Sequence, residues 1–380
     1  MALTDVFISP AGAGDNSGSS IANALPAISS GDWSTNIEGL DRANKRFVFL
    51  EGTYNVTTKL TFTGSAPTDE QPNQWVGAKS DGTILRPKFD ETGLRLDLTN
   101  YPLFVCSANV QMINTEEYSF YKCLSFENTN ASYSQGSIIE ATSGDVDGQM
   151  WLGCNFKAAP ADNSATVFLA LSTQMSMCVF EATTKQYAEI LEVRTNSNIR
   201  DCRIIGGGDS SPTGGNGDGV TATAFSSNIE GCVIANVHGD GFFMNTTSNR
   251  QNPVANNCTI INCGANGIDA SNITSNQANV TGVIDGTIIF NCAGKGIKAD
   301  AADDRQNGAQ LLAMGSNGAN FENLDSYEDM IDVVAITTAD FVDYASNDFR
   351  IRRDSVLYKF FGTHNFGAIQ NEDFEFTSVS

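Results

Sequence analysis

"GDGVTATAF" at residues 217–225 is followed by "GDGFFMNTT" at 239–247, "ANGIDASNI" at 265–273 and "GKGIKADAA" at 294–302. Each stretch writes a polar residue, a glycine, and then a run whose first and third residues are apolar. Apolar residues at every second position describe a strand with one buried face. The pattern also runs upstream, as "IEAT" at 139–142, "LALS" at 169–172 and "LEVR" at 191–194. Seven strands of one type at uneven intervals indicate stacked repeats whose loops differ in length.

A second phrase interleaves with the first. It reads "YKCLSFEN", "LGCNFKAA", "SMCVFEAT", "RDCRIIGG", "EGCVIANV" and "NNCTIINC", and "DGTIIFNC" continues it with Thr287 in the Cys place. Cys123, Cys154, Cys178, Cys202, Cys232 and Cys258 are spaced by 31, 24, 24, 30 and 26 residues. Cys263 and Cys292 fall in register five residues beyond this position. Two strands per repeat joined by Gly-rich corners give a coil of parallel strands, with each G-x-G corner starting a strand. Free Cys is small, apolar and among the most buried residue types, so the column is expected to be a reduced structural ladder. No zinc-type C-x₂-C spacing is present.

The chain of 380 residues carries 22 Lys plus Arg against 44 Asp plus Glu, a net charge of −22. That field repels phosphate backbones and anionic membranes, which argues against nucleic acid as a partner. No window approaches the roughly 18 apolar residues of a membrane-spanning helix. "MALTDVFISPAG" has neither a basic stretch nor a continuous apolar run, so no secretory signal is read there. With 41% hydrophobic residues the chain can bury a core, and 35 glycines suit a loop-rich solenoid.

"TDVFISPAGAGDNSGSSIANALPAI" at 4–28, followed by "NKRFVFLEGTYNVTTKLTF" at 44–62, resembles the opening of right-handed parallel β-helix proteins of the pectate-lyase-like superfamily. "NDFRIRRDSVLYKFFGTHNFGAIQ" at 347–370 resembles their closing segment, although "VLYKFFGTHNF" departs from its usual small residues. The expected fold is all-β, a single right-handed parallel β-helix of about ten coils with an N-terminal cap and a C-terminal covering segment. Residues 1–45 would form the first strand and a cap with a helix near 20–29, and residues 46–326 the coils. Residues 327–380 would form a cap or interface tail, with the acidic and apolar part from 323 covering the far end of the solenoid.

The resemblance implies that any glycan-cleaving site lies on the outward face of a strand ladder. The outward positions read Glu140, Ala170, Glu192, Thr221, Phe243, Asp269 and Lys298, then Thr142, Ser172, Arg194, Thr223, Asn245, Ser271 and Asp300. Asp269, Lys298 and Asp300 are the tightest mixture of acids and a base, of the kind a lyase uses. Glu140 and Glu192, two coils or about 9.6 Å apart, approach the separation of an inverting hydrolase. Asp218 and Asp240 precede the glycines of adjacent corners, with Asn266 and Lys295 continuing the column. Such a stack could hold Ca²⁺ or simply bond local backbone groups; no other cofactor or metal is read. Phe243, with Tyr133 in a neighbouring loop, offers a surface for a sugar ring. His238 and His364 fall far apart, and no nucleophile–histidine arrangement appears.

The favoured expectation is a non-enzymatic structural protein on the surface of a virus particle, such as a bacteriophage decoration, fibre or spike component that could bind host surface polysaccharide. It would contact other virion proteins and form a homotrimer through Tyr358, Phe360, Phe361 and Phe366. The alternative is a polysaccharide depolymerase, either a hydrolase or a lyase.

Overall fold

Parallel strands account for nearly all of the regular structure. The computed structural model describes residues 3–27, 29–61, 63–115, 117–133, 137–140, 148–160, 166–170, 172–184, 189–194, 197–207, 217–223, 227–245, 254–272, 283–299, 308–309, 311–322, 332–355 and 357. Within them, sheet I has 12 strands, sheet II has 11 and sheet III has nine, each strand pairing in parallel with the strands one coil before and after. The chain visits the sheets in the order I, II, III and then returns to I, as in Thr173–Ser176, Val179–Ala182, Glu189–Val193 and Asn198–Arg200. The protein is a parallel β-helix.

Each coil therefore has three strands, not the two expected from the sequence. The missed set is sheet I, whose later members Asn198–Arg200, Asn228–Glu230 and Val254–Asn256 span three residues each. They send one residue inward per coil (Ile199, Ile229 and Ala255), too few to display alternation.

The turn from sheet I to sheet II explains the Cys phrase. Met177, Asp201, Gly231, Asn257 and Gly286 all adopt the left-handed backbone region, with φ between 51° and 62°. The residue that follows each of them points into the core. Three of the thiols donate to a carbonyl of the preceding coil, Cys178 Sγ to Trp151 O at 3.6 Å, Cys232 Sγ to Ile199 O at 3.5 Å and Cys258 Sγ to Ile229 O at 3.6 Å, while Cys202 Sγ donates to Arg200 O at 3.2 Å. Thr287 Oγ1 makes the same bond to Ala255 O at 3.1 Å, so a hydroxyl replaces a thiol without altering the corner.

Cys123 does not belong to this column. Asn155 pairs with Ser125, which puts Leu124 beneath Cys154 and Cys123 beneath Gly153. Cys123 itself takes the left-handed position, with φ 53°, and packs in the layer outside sheet II. The column is Leu124, Cys154, Cys178, Cys202, Cys232, Cys258 and Thr287. All nine cysteines are free and buried. Burial holds the thiols of Cys178, Cys202, Cys232, Cys258 and Cys263 well above the ordinary thiol range.

The core changes composition along the axis. Its N-terminal end is aromatic: Tyr54, Phe104, Phe126, Phe156 and Phe180 stack with centroids 4.9, 5.0, 5.7 and 5.0 Å apart. Further on, the same inward column of sheet II is Ile204, Ile234, Ile260 and Ile289. Against these isoleucines lie the second glycines of the G-x-G corners. A Cβ on Gly241 would meet Ile260 Cγ2 at 2.3 Å and Gly267 O at 2.6 Å. Close approach, not an unusual φ, is what requires glycine there.

The N-terminal end is covered differently from expectation. The helix expected near 20–29 is reduced to one 3₁₀ turn (Ile21–Asn23), followed by a short strand (Leu25–Pro26) beside Ile8 and Ser9. Proline lacks the amide a helix interior requires. Helix α1 is Ser30–Asn36, opened by a capping box between Ser29 and Asp32. It closes the first coil by stacking Trp33 on Trp75, with centroids 5.8 Å apart. At the other end, Asp332–Ala335 is a further strand of sheet II. Residues 336–351 then run back along the outside of that sheet, while residues 323–331 and nearly all of the tail beyond 355 lie outside the described residues. Phe341 packs on Phe290 at 5.3 Å, Tyr344 donates to Asn262 Oδ1, and Asn236 Nδ2 donates to Asn347 Oδ1 at 3.4 Å. Tyr358, Phe360, Phe361 and Phe366 lie outside the described residues.

Two outcomes follow from this packing. Alkylating reagents should leave the thiols of the native protein unmodified and label them in denaturant; rapid native labelling would contradict the buried ladder. Gly241→Ala should lower stability by about 1–3 kcal/mol, the usual effect of overpacking, measured by chemical denaturation.

Candidate functional site

Sheet III places one residue per coil outward, and its register differs at one point from the sequence reading. Glu140 pairs with Leu169, and Leu169 with Glu192. The column continues through Thr221, Phe243, Asp269, Lys298 and Glu322. Leu169, not Ala170, thus separates the two glutamates. The strand "TVFLA" (Thr166–Ala170) buries Phe168 and Ala170, so "LALS" marks the wrong face by one residue. An unbroken apolar run hides its own phase.

Glu140 and Glu192 stand two coils apart, as read from the sequence. Glu192 is engaged: Arg194 Nε donates to its Oε1 at 2.7 Å and Thr223 Oγ1 at 3.4 Å. Tyr133 ends a strand of sheet II, where it pairs with Pro160, and shares no column with Phe243. Asp300 and His364 lie outside the described residues.

One coil corner gathers most of the chemistry. In the column Asp218, Asp240, Asn266, Lys295, each side-chain oxygen accepts the amide of the next coil. Asp240 N donates to Asp218 Oδ1 at 2.9 Å, Asn266 N to Asp240 Oδ1 at 2.7 Å, and Lys295 N to Asn266 Oδ1 at 2.9 Å. Asn266 Nδ2 then links the corner to the strand face by donating to Asp240 Oδ1 at 2.9 Å and Asp269 Oδ2 at 3.2 Å. Asp269 is nearly buried, and Lys298 Nζ donates to its Oδ2 at 2.9 Å. Ser271 supplies two further donors, its amide at 2.8 Å and its hydroxyl at 2.5 Å. Sequence reasoning found the Asp269–Lys298 pair and the corner column separately; it missed the Asn266 bridge that joins them.

The two half-buried acids of the corner titrate abnormally. Burial pushes Asp218 up to about 7, and the neighbouring Asp240 charge adds to the effect. Burial likewise raises Asp240 to about 6, while the Asn266 amide opposes the rise. Lys298 is also raised, held above its ordinary range first by its hydrogen bond to Asp269. Phe243 lies half-buried three residues beyond Asp240, one coil from Asp269. Among the described residues, no group of three or more His, Cys, Asp or Glu side chains is arranged to hold a metal ion.

Fold and site together define a parallel β-helix protein with an acid-rich outward face. Among solved structures the chain is similar to the crystal structure of pectate lyase Pel9A, with 13% identity over 94% of this chain and 91% of that one and a TM-score of 0.49. It is also similar to alginate lyase from Paenibacillus sp. str. FPU-7, with 8% identity over 78% and 96% and a TM-score of 0.32. A third is the catalytic domain of GH87 alpha-1,3-glucanase in complex with nigerose, with 12% identity over 88% and 68% and a TM-score of 0.31. These neighbours are polysaccharide-degrading enzymes, and at such identities the likeness concerns the path of the chain. No protein-family model matches the sequence, and no curated protein matches it.

The raised acid gives a signed expectation. A carboxyl whose folded value of about 7 exceeds its ordinary 3.8 favours folding when protonated. That contribution is full below about pH 4 and lost as pH rises through 7. Asp218→Asn keeps the amide-accepting oxygen but cannot ionise. Its melting temperature should exceed that of the parent at pH 8, with the gap closing near pH 4. A gap independent of pH would show that Asp218 titrates normally.

Proposed function

We propose that the chain is a polysaccharide-cleaving β-helix that hydrolyses glycosidic bonds with the Asp218–Asp240 pair. The observation that carries this reading is a pair of stacked carboxyls, both raised well above the ordinary carboxylate range, beside a half-buried aromatic. Two acids one coil apart in poorly hydrated surroundings favour the state in which one is protonated and the other ionised. In this reading Asp218 carries the proton and donates it to the glycosidic oxygen as that bond breaks. Asp240, as carboxylate, attacks the anomeric carbon and holds the sugar as an ester. A water then gives its proton to the Asp218 carboxylate and its oxygen to the sugar, releasing Asp240. Adjacent coils stand about 4.8 Å apart, close to the roughly 5–5.5 Å between carboxyls in retaining glycosidases.

Hydrolysis is favoured over elimination on this face. An eliminating enzyme needs a positioned base and a neutralised uronate. Lys298 is fixed on Asp269 and held protonated, and a net charge of −22 repels polyuronates. The substrate class is therefore a neutral polysaccharide, with Phe243 stacking against a ring.

A second reading is a glycan-binding surface component that does not cut, carried on a virus particle as a homotrimer. It is favoured by the structural work of Asp218 and Asp240, each of which accepts the amide of the next coil.

One assay separates the two. Incubation with a panel of neutral polysaccharides should release new reducing ends and no unsaturated ends, with an activity maximum between about pH 6 and 7. Asp218→Asn and Asp240→Asn should each lose about 100-fold or more of the rate while keeping the far-ultraviolet circular dichroism of the parent. Saturable glycan binding without reducing ends would replace this reading with the second.

A further inference from the structure

A different site lies where the chain leaves the solenoid between Ala78 and Pro102. This excursion makes two short antiparallel contacts, Ala78 with Ile84 and Phe89 with Leu96. Alternation sorts its side chains. Leu85, Leu94 and Leu96 join the apolar layer outside sheet II. Phe89 lies 4.2 Å from the Arg203 guanidinium, and Arg95 pairs with Glu181 at 3.0 Å. Lys79, Arg86 and Lys88 fall to the other side and are exposed. No ion pair joins these three to any described carboxylate.

All three line one cavity of about 390 Å³. Its remaining polar lining is Thr83, Thr99, Asn100 and Asp97, and its apolar lining is Ile84, Leu85 and Tyr101. Asp97 accepts the Thr99 amide at 3.1 Å, and Asp81, outside the lining, accepts the Thr83 amide at 2.9 Å. Both carboxylates are thus engaged within their own turns. The walls are anchored on the solenoid: Tyr101 donates to Gly153 O at 3.2 Å, and Arg203 Nε to Gly93 O at 2.7 Å. Lys79 and Lys88 also feel the charges of Asp81 and Asp97, yet three cations to one carboxylate in the lining is the reverse of a chain with twice as many acids as bases.

We propose that this cavity binds a monosaccharide-sized oxyanion, a sugar carrying one carboxylate, sulfate or phosphate. The anionic group sits among Lys79, Arg86 and Lys88, where charge-assisted bonds form. The sugar hydroxyls meet Thr83, Thr99 and Asn100, and the ring lies against the apolar lining, the division of roles common to small-molecule sites. The volume of about 390 Å³ admits a sugar ring with its charged substituent.

Calorimetric titration of the full chain tests this with glucuronate, glucose 6-sulfate, glucose 6-phosphate, glucose, inorganic sulfate and inorganic phosphate. At least one charged sugar should bind saturably, while glucose and both inorganic anions bind at least about tenfold more weakly. The double variant Arg86→Gln/Lys88→Gln, altered only at exposed side chains, should keep the parent melting temperature and lose about tenfold or more in affinity. Asp240→Asn should bind as the parent does, which separates this site from the acid corner. The proposal is overturned if no charged sugar binds up to about 10 mM or if the double variant binds unchanged. Inorganic anions binding as tightly as the sugars would equally overturn it.

Discussion

The bend between sheets I and II is the constraint on which the other features depend. A left-handed residue turns the chain sharply, and the next residue fills the interior; at Cys178, Cys232, Cys258 and Thr287 it also donates a hydrogen bond to the coil below. Few side chains do both. Cysteine fits, threonine fits at Thr287, and Leu124 fills the space without the bond. Because the coils from Cys123 to Thr287 repeat this corner at the same height, the strands on either side stay in register across loops of very different length. Inter-coil backbone bonds then follow throughout, and the ladders of outward side chains inherit that alignment.

The acid corner is the same principle applied at the bend into sheet III. There the inward position is closed by the isoleucine column, so glycine is required, and the residue before it is turned toward its neighbours in the stack. Asp or Asn at that place satisfies the amide of the next coil. Two aspartates placed consecutively bring two charges within one coil spacing, in surroundings that hydrate them poorly. Their raised titration is a consequence of how the solenoid stacks, and Asn266 ties the pair to the Asp269–Lys298 ion pair on the strand face.

The sequence exposed what alternates and what repeats. Sheet III was legible because its strands run Val-Thr-Ala-Thr or Ile-Asp-Ala-Ser, with polar residues marking the outer face. The same test slipped by one residue at "VFLAL", where apolar neighbours leave the face unmarked. Sheet I was missed because three-residue strands carry too little pattern, and Cys123 was misplaced because cysteine suits either of two adjacent positions in the corner. Of the candidate site, the acids and the lysine were visible as columns. Their linkage through Asn266 was not, since it depends on a three-residue offset between corner and face that only the folded coil supplies. The cationic cavity was also hidden, because Lys79, Arg86 and Lys88 converge only when the excursion folds back on itself.

The graded core divides the molecule optically. All three tryptophans, Trp33, Trp75 and Trp151, belong to its aromatic N-terminal part. In stacked-repeat proteins each coil depends chiefly on its neighbours, so distant coils can lose structure separately. Intrinsic tryptophan fluorescence would then report melting of the early coils and stay silent while the isoleucine-lined coils, with the acid corner, open and close. A stability read from that signal alone would describe the half of the protein that lacks the acid corner.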